Sequence, residues 1–234
     1  MDSSGYQAFA RDKLKADFKD INLLITAFTH RSYLNEHKQT VKTHNERLEF
    51  LGDAVLELVV TEFLYDKYHD PEGILTNWRS SLVRTESIAE AAERYGFEPL
   101  LRLSRGEVHG SLRARRQILA NCFESVVGAL YLDQGYDIAR QFIHESVISK
   151  FSIILANGSW MDPKSHLQEL AQSQETATPV YRVISEEGPD HDKTFTIGVF
   201  VNNHLRGQGM GPSKQDGEQK AAEKALKYYL KALK

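Results

Sequence analysis

Residues 44–56 read His44-Asn45-Glu46-Arg47-Leu48-Glu49-Phe50-Leu51-Gly52-Asp53-Ala54-Val55-Leu56. Leu48, Leu51, Val55, Leu56 and then Val59 recur at the helical period, which predicts a helix with one apolar stripe. Glu46, Glu49 and Asp53 are spaced three and four positions apart, so they share a helix face. Acids set in a segment that seeks a core need a compensating partner, because burying an unpaired charge is costly. A divalent cation is one such partner. Exposed acids on an ordinary amphipathic helix are the other reading, and spacing alone leaves both open. Gly52 would let another backbone come close.

A second segment has the same character. Asn121 and Glu124 are one turn apart within Ile118, Leu119, Phe123, Val126 and Val127. Packed against the first helix, it would bring further oxygen ligands to one place. Hard oxygen donors suit Mg²⁺ or Mn²⁺.

The bulk properties set limits. The chain has 234 residues, 41% hydrophobic and 26% charged, as expected of a globular protein. This length holds one large domain or a medium and a small one. No apolar run is long enough to span a membrane, and the first ten residues lack the pattern of a secretory signal. Cys122 is the only cysteine, which excludes an internal disulfide and fits a reducing cytoplasm. The net charge of −3 argues mildly against a nucleic-acid binder, although local patches matter more than the total.

Residues 14–155 read as mostly helical. Thr85 can cap a helix that runs to Arg94 and stops at Gly96, and 117–132 form another long apolar helix. Asn157-Gly158-Ser159 reads as a linker, and Asp162-Pro163 opens a short helix to about Ala171. The period then changes. Residues 180–184 and 195–201 alternate as strands, with Phe195, Ile197, Val199 and Val201 on one face. Asn202-Asn203 tolerates the positive φ of a tight hairpin, and 204–208 give a third strand. From Ser213 the helical period returns through Ala222, Leu226, Tyr229 and Leu233. Gly207, Gly209 and Gly211 lack the spacing of a phosphate-binding motif and read as a turn into this last helix. His30, His37, His44 and His69 read as structural or surface residues.

With these motifs in hand, the chain resembles bacterial ribonuclease III. The segment 44–56 looks like that family's signature. The likeness continues through 71–73, 82–84 and 101–107 to 118–133. Residues 162–231 resemble the double-stranded-RNA-binding domain that follows in that family. The resemblance implies an all-α, homodimeric catalytic domain over 1–156, a linker at 157–161 and an α-β-β-β-α domain over 162–232. It implies a cytoplasmic endoribonuclease that hydrolyses phosphodiester bonds in double-stranded RNA with Mg²⁺, for which Mn²⁺ can substitute. The products would carry 5′-phosphate and 3′-hydroxyl ends, and the substrates would be ribosomal RNA precursors and some messenger RNAs. No serine or cysteine nucleophile is implied.

By position, Asp53 and Glu124 match the catalytic pair, and Glu49, Asp53, Asn121 and Glu124 the metal-binding set. Glu46 and Glu72 match further acids of the cleft and dimer interface. The signature helix would pair with its copy. RNA contacts would come from Ser165, Gln168 and Glu169 on the first helix of the second domain, from the loop at His191, and from Ser213, Lys214 and Gln219 at the last helix. A helix N-terminus presents free N–H groups suited to phosphate.

Two departures stand out. The family usually carries Asp where this chain has Asn121. An amide oxygen can ligate Mg²⁺ but brings no charge. Three readings stay open: an active site with a neutral ligand, a weakened or silent RNA-binding protein, or a different local pairing. The family also places several cations after the serine, where this chain has Lys214, Gln215 and Asp216. Fewer phosphate contacts predict weaker RNA binding by the second domain. Arg79, Arg84, Arg105, Arg113, Arg115 and Arg116 could supply compensating charge.

Overall fold

A computed structural model describes residues 3–158, 160–189 and 193–232. They divide into two compact units, Met1–Ala156 and Asn157–Lys234. Each is described by itself.

The first unit is helical: α1 (Ser3–Lys13), α2 (Ile21–Ala27), α3 (Arg31–Glu36), α4 (Glu46–Lys67), α5 (Glu72–Val83), α6 (Thr85–Tyr95), α7 (Arg105–Val108), α8 (Leu112–Gln134), α9 (Tyr136–Ser146) and α10 (Phe151–Asn157). Among its described residues the extended structure is one bridge between Thr29 and Arg102. α4 and α8 form its central pair. The predicted stripe of α4 is buried at Leu48, Val55, Leu56 and Val59, and continues through Val60 and Leu64. Gly52 and Gly128 meet at the crossing. A Cβ at Gly52 would collide with the Glu124 carbonyl, and one at Gly128 with the Leu48 carbonyl. The two backbones therefore touch where the acids lie.

Two aromatic clusters fill the unit. Phe97, Phe123 and Phe142 stack in sequence, and Phe28 meets Phe97 and Phe9 edge to face. Tyr68, Trp78 and Phe151 form the second cluster with Phe63. Helix α1 lies before the predicted helical region. It exists because Tyr6, Phe9 and Ala10 find the first cluster, and Tyr6 Oη donates to the Leu100 carbonyl at 2.8 Å. Thr85 is not the cap of α6. Arg84 takes that place without a side-chain cap bond, and Thr85 is the first helical residue. Gly96 ends the helix in the left-handed region at φ 77°, as its position predicts.

The second unit runs α11 (Pro163–Glu175), β1 (Val180–Glu187), β2 (Thr194–Val201), β3 (His204–Gly211) and α12 (Lys214–Ala232). Asp162 caps α11 by accepting from the Ser165 N–H at 3.1 Å. α11 runs one turn beyond Ala171, because Leu167 and Ala171 both face the core and Thr176 ends the helix in the left-handed region. The sheet is antiparallel in the order β1-β2-β3. Asn202 and Asn203 adopt φ of 49° and 64° at the hairpin. Val199, Val201, Ala221, Ala222, Ala225, Leu226 and Tyr229 form the core with Leu167 and Ala171. Leu233 lies outside the described residues.

Gly207, Gly209 and Gly211 do not form a turn. They lie in β3, and their period of two places all three on the face under α12. A Cβ at Gly207 or Gly209 would enter the backbone of α12 at Ala221, and one at Gly211 would press on Asp216. The missing side chains let the helix rest directly on the strand.

Candidate functional site

The α4–α8 crossing positions the acids. Glu49 and Asp53 project from α4, and Asn121 and Glu124 from α8. Glu49 and Glu124 are half-buried, while Asp53 is exposed. Glu124 carries the largest perturbation: burial first, then the charges of Asp53 and Glu49, raise its carboxyl to about 8. Burial also raises Glu49, with Glu46 and Asp53 adding to the effect. Burial and neighbouring acids thus disfavour the charged forms of Glu49 and Glu124, one from each helix. Such perturbation is a mark of functional sites.

Asn121 enters this group as a hydrogen-bond partner. Its amide donates to Glu49 and opposes that group's upward shift. Its Oδ1 accepts from Gln117 Nε2 at 2.7 Å. Sequence reading passed over Gln117, although it lies one turn from Asn121 on the same helix face. Glu46 is more peripheral. It sits 3.5 Å from Arg31 and 3.9 Å from His44, and reaches the group through its charge on Glu49. Glu72 stands apart within one chain. It begins α5, accepts from Thr76 Oγ1 at 3.2 Å, and lines a groove with Tyr65 and Arg79. Tyr65 is about 24 Å along α4 from Glu49 by helical rise.

The donor chemistry fits a hard divalent cation. All the groups offer oxygen, and a cation among them would relieve the repulsion that raises Glu124 and Glu49. Among the described residues no three Asp, Glu, His or Cys side chains are already converged as a ligand cluster. The histidines hold structural or surface positions: His30 caps α3, and His37 stacks on Tyr33. Cys122 is fully buried, and burial pushes its thiol well up.

Sequence reading also missed what Phe50 does. It is 83% exposed in the middle of the signature helix, beside a groove of about 710 Å³ lined by Leu23, Thr26, Arg47, Leu51 and Leu132. The signal was available: Phe50 lies off the apolar stripe, where a large aromatic side chain has no intramolecular use.

In the second unit, Asp162 joins two predicted contact regions. It accepts from Ser165 at the start of α11 and from Gln219 Nε2 of α12 at 3.4 Å. Ser165, Gln168 and Glu169 line one shallow groove of about 490 Å³ with Gln172 and Ser173. Ser213 and Asp216 cap α12: Asp216 N–H donates to Ser213 Oγ at 3.1 Å, and Ser213 Oγ donates back to the Asp216 carboxylate at 2.7 Å. Lys214 is paired with Glu186 at 3.6 Å, and Lys220 donates to the Met210 carbonyl at 2.9 Å. His191 lies outside the described residues. In the first unit, Arg115 is bound to Glu98 at 2.8 Å and Arg79 to Glu57 at 3.1 Å. Those two arginines are partly committed elsewhere.

An acid-lined helical crossing and a unit of α-β-β-β-α order define a nuclease-type domain joined to an RNA-binding one. The Ribonuclease-III-like family matches residues 20–151, and the Double-stranded RNA binding motif matches residues 163–229. Ribonuclease 3 of Enterococcus faecalis is 46% identical over 211 residues, covering 90% of this chain and 91% of that protein. Ribonuclease 3 of Streptococcus gordonii is 44% identical over 219 residues, covering 92% and 93%. Among solved structures, the nuclease domain of ribonuclease III from Campylobacter jejuni aligns with a TM-score of 0.53 at 36% identity, over 59% of this chain and 96% of that one. The chain belongs to the ribonuclease III family and is an endoribonuclease of that type. Among the described residues no helix is long and apolar enough to cross a membrane.

Proposed function

We propose that the chain cleaves double-stranded RNA at the α4–α8 crossing with Mg²⁺, leaving 5′-phosphate and 3′-hydroxyl ends. The observation that carries this is that the carboxyls of Glu49 and Glu124 are pushed up by burial and by acids that include Asp53, an effect a divalent cation would offset. Glu49, Asp53, Asn121 and Glu124 would hold the ion, Asn121 as a neutral ligand. When bound, the ion supplies Lewis-acid activation of water and neutralises charge at the phosphate. Asn121 and Gln117 orient the Glu49 carboxylate. Glu124 holds a proton at neutral pH, which a bound cation would have to displace. Mn²⁺ is expected to substitute.

The proposal extends to the whole chain. Residues 1–156 carry the chemistry, 157–161 connect, and 162–232 hold duplex RNA through Ser165, Gln168, Glu169, Ser213, Lys214 and Gln219. A second copy covers the Phe50 face. The exposed ring and its neighbouring groove lie on one patch, as a two-fold interface needs. The C. jejuni nuclease domain shows structural flexibility in the region involved in its dimer formation. Phe50→Asp should therefore sediment as a monomer; an unchanged dimer would reject this face. Processing of ribosomal RNA precursors and some messenger RNAs in the cytoplasm completes the reading.

Incubating the purified chain with a long RNA duplex and Mg²⁺ tests the activity. Short duplex fragments with 5′-phosphates are expected. A duplex left intact at millimolar Mg²⁺ and Mn²⁺ would overturn it. The runner-up is a protein that binds duplex RNA without cutting it. It draws on Asn121, whose neutral amide oxygen is already taken by Gln117. The same assay separates the two, because that protein would shift the duplex in a gel and leave it whole.

A further inference from the structure

Lys214 is the first residue of α12, where the helix N-terminus would meet phosphate. Its ammonium does not point freely at solvent. It lies 5.7 Å from the Phe195 ring centre and 3.6 Å from a Glu186 oxygen. The sheet register explains the arrangement. Glu186 on β1 is paired with Phe195 on β2, and Phe195 with Gly211 on β3. α12 begins directly over Gly211, so Lys214 crosses Phe195 to reach Glu186. Both partners remain open to solvent, at 59% and 40% side-chain exposure.

We propose that Glu186 sets how tightly the chain holds duplex RNA, by occupying Lys214 until a phosphate displaces it. This rests on the reading of the α12 N-terminus as a phosphate contact. When Lys214 moves to a phosphate the RNA releases a condensed counterion, but the freed Glu186 carboxylate attracts cations in its place. The transfer gains little salt-dependent free energy and leaves Glu186 facing the polyanion. The Glu186–Lys214 pair thus acts as a built-in competitor. It keeps the second unit a weak, readily released contact in a chain whose net charge is already negative.

The test is a two-by-two set of full-length chains: wild type, Glu186→Gln, Lys214→Gln and the double variant. Binding to a labelled RNA duplex is measured in EDTA across a salt series, with melting temperatures recorded for each chain. Glu186→Gln should bind about two- to fivefold tighter, the range of an exposed ion pair. Its log–log salt slope should steepen by up to roughly 0.9, because no carboxylate takes up cations when Lys214 moves to phosphate. Lys214→Gln should weaken binding, and on that background Glu186→Gln should give little further change. Equal tightening in both backgrounds, or none in either while Lys214→Gln still weakens binding, overturns the role of Glu186. If Lys214→Gln has no effect in either background, the reading of the α12 end as an RNA contact fails instead.

Discussion

The α4–α8 crossing and the second unit treat charge in opposite ways. At the crossing, Glu49 and Glu124 are pushed up by burial and by the charges of neighbouring acids, Asp53 among them. In the second unit, charges come as satisfied pairs. Arg206 is bound to both Glu175 oxygens at 2.9 Å, Tyr229 donates to the same carboxylate, and Lys164 meets Glu218 at 2.7 Å. Paired charges build the frame that holds α11, the hairpin and α12 together. On the proposed reading, the uncompensated acids are where an external cation would bind. The position of unsatisfied charge therefore says more about function here than the total charge of either unit.

The sharpest way to break this contrast is to open the crossing. Gly52→Ala places a methyl group in the Glu124 carbonyl, within backbone that cannot yield cheaply. It should cost on the order of 4 kcal/mol, and denaturant unfolding of the first unit would reveal it. Gly73→Ala, with nothing within 4 Å of its added Cβ, should change stability by less than about 0.5 kcal/mol. Equal effects would mean that the backbones are not in contact.

Next in size is the removal of one charge from the crowded group. Glu124→Gln should lower cleavage by on the order of 10²–10³ while leaving duplex binding intact. It should also change the pH dependence of the metal-free fold. An unfolded glutamate ionises near 4.5, whereas folded Glu124 keeps its proton to about 8. Between those values the folded state binds the extra proton, so stability falls as pH rises through that window. In EDTA, Glu124→Gln should remove this decline and melt several degrees higher than wild type at pH 8. A parallel pH profile would place Glu124 in an ordinary, solvated environment.

A smaller effect is expected at Asn121. Asn121→Asp adds a carboxylate beside Glu49 and removes an amide donor from it. The Mg²⁺ concentration for half-maximal cleavage should fall by roughly tenfold, equivalent to about 1.4 kcal/mol. No change would mean that the residue does not sense the ion.

Much of the fold was legible in the sequence because periodicity reports burial. The α4 stripe, the Asn-Asn hairpin and the Asp162 cap all follow from local rules, whereas α8 starts at Leu112, five residues before its predicted start. What could not be read locally depended on partners far along the chain. Helix α1 forms because its aromatic residues meet Phe28 and Phe97. The glycines of β3 looked like a turn, and only α12 lying on them explains their spacing. At the site, sequence and resemblance pointed to Glu49, Asp53, Asn121 and Glu124. They could not foresee that Asn121 would donate to Glu49, that Gln117 would hold Asn121, or that Glu72 would stand far off in the same chain. Nor could they foresee the Lys214–Glu186 pair, which joins residues 28 positions apart in sequence.

The most direct test of the central claim is calorimetric titration of Mn²⁺ or Mg²⁺ into the metal-free chain at pH 7, repeated in buffers of different ionisation enthalpy to count protons. A cation seated among Glu49, Asp53 and Glu124 must displace the proton held by Glu124. The account predicts binding with release of close to one proton per site, and loss of that release in Glu124→Gln. Binding without proton release, or with the same release in Glu124→Gln, would contradict it.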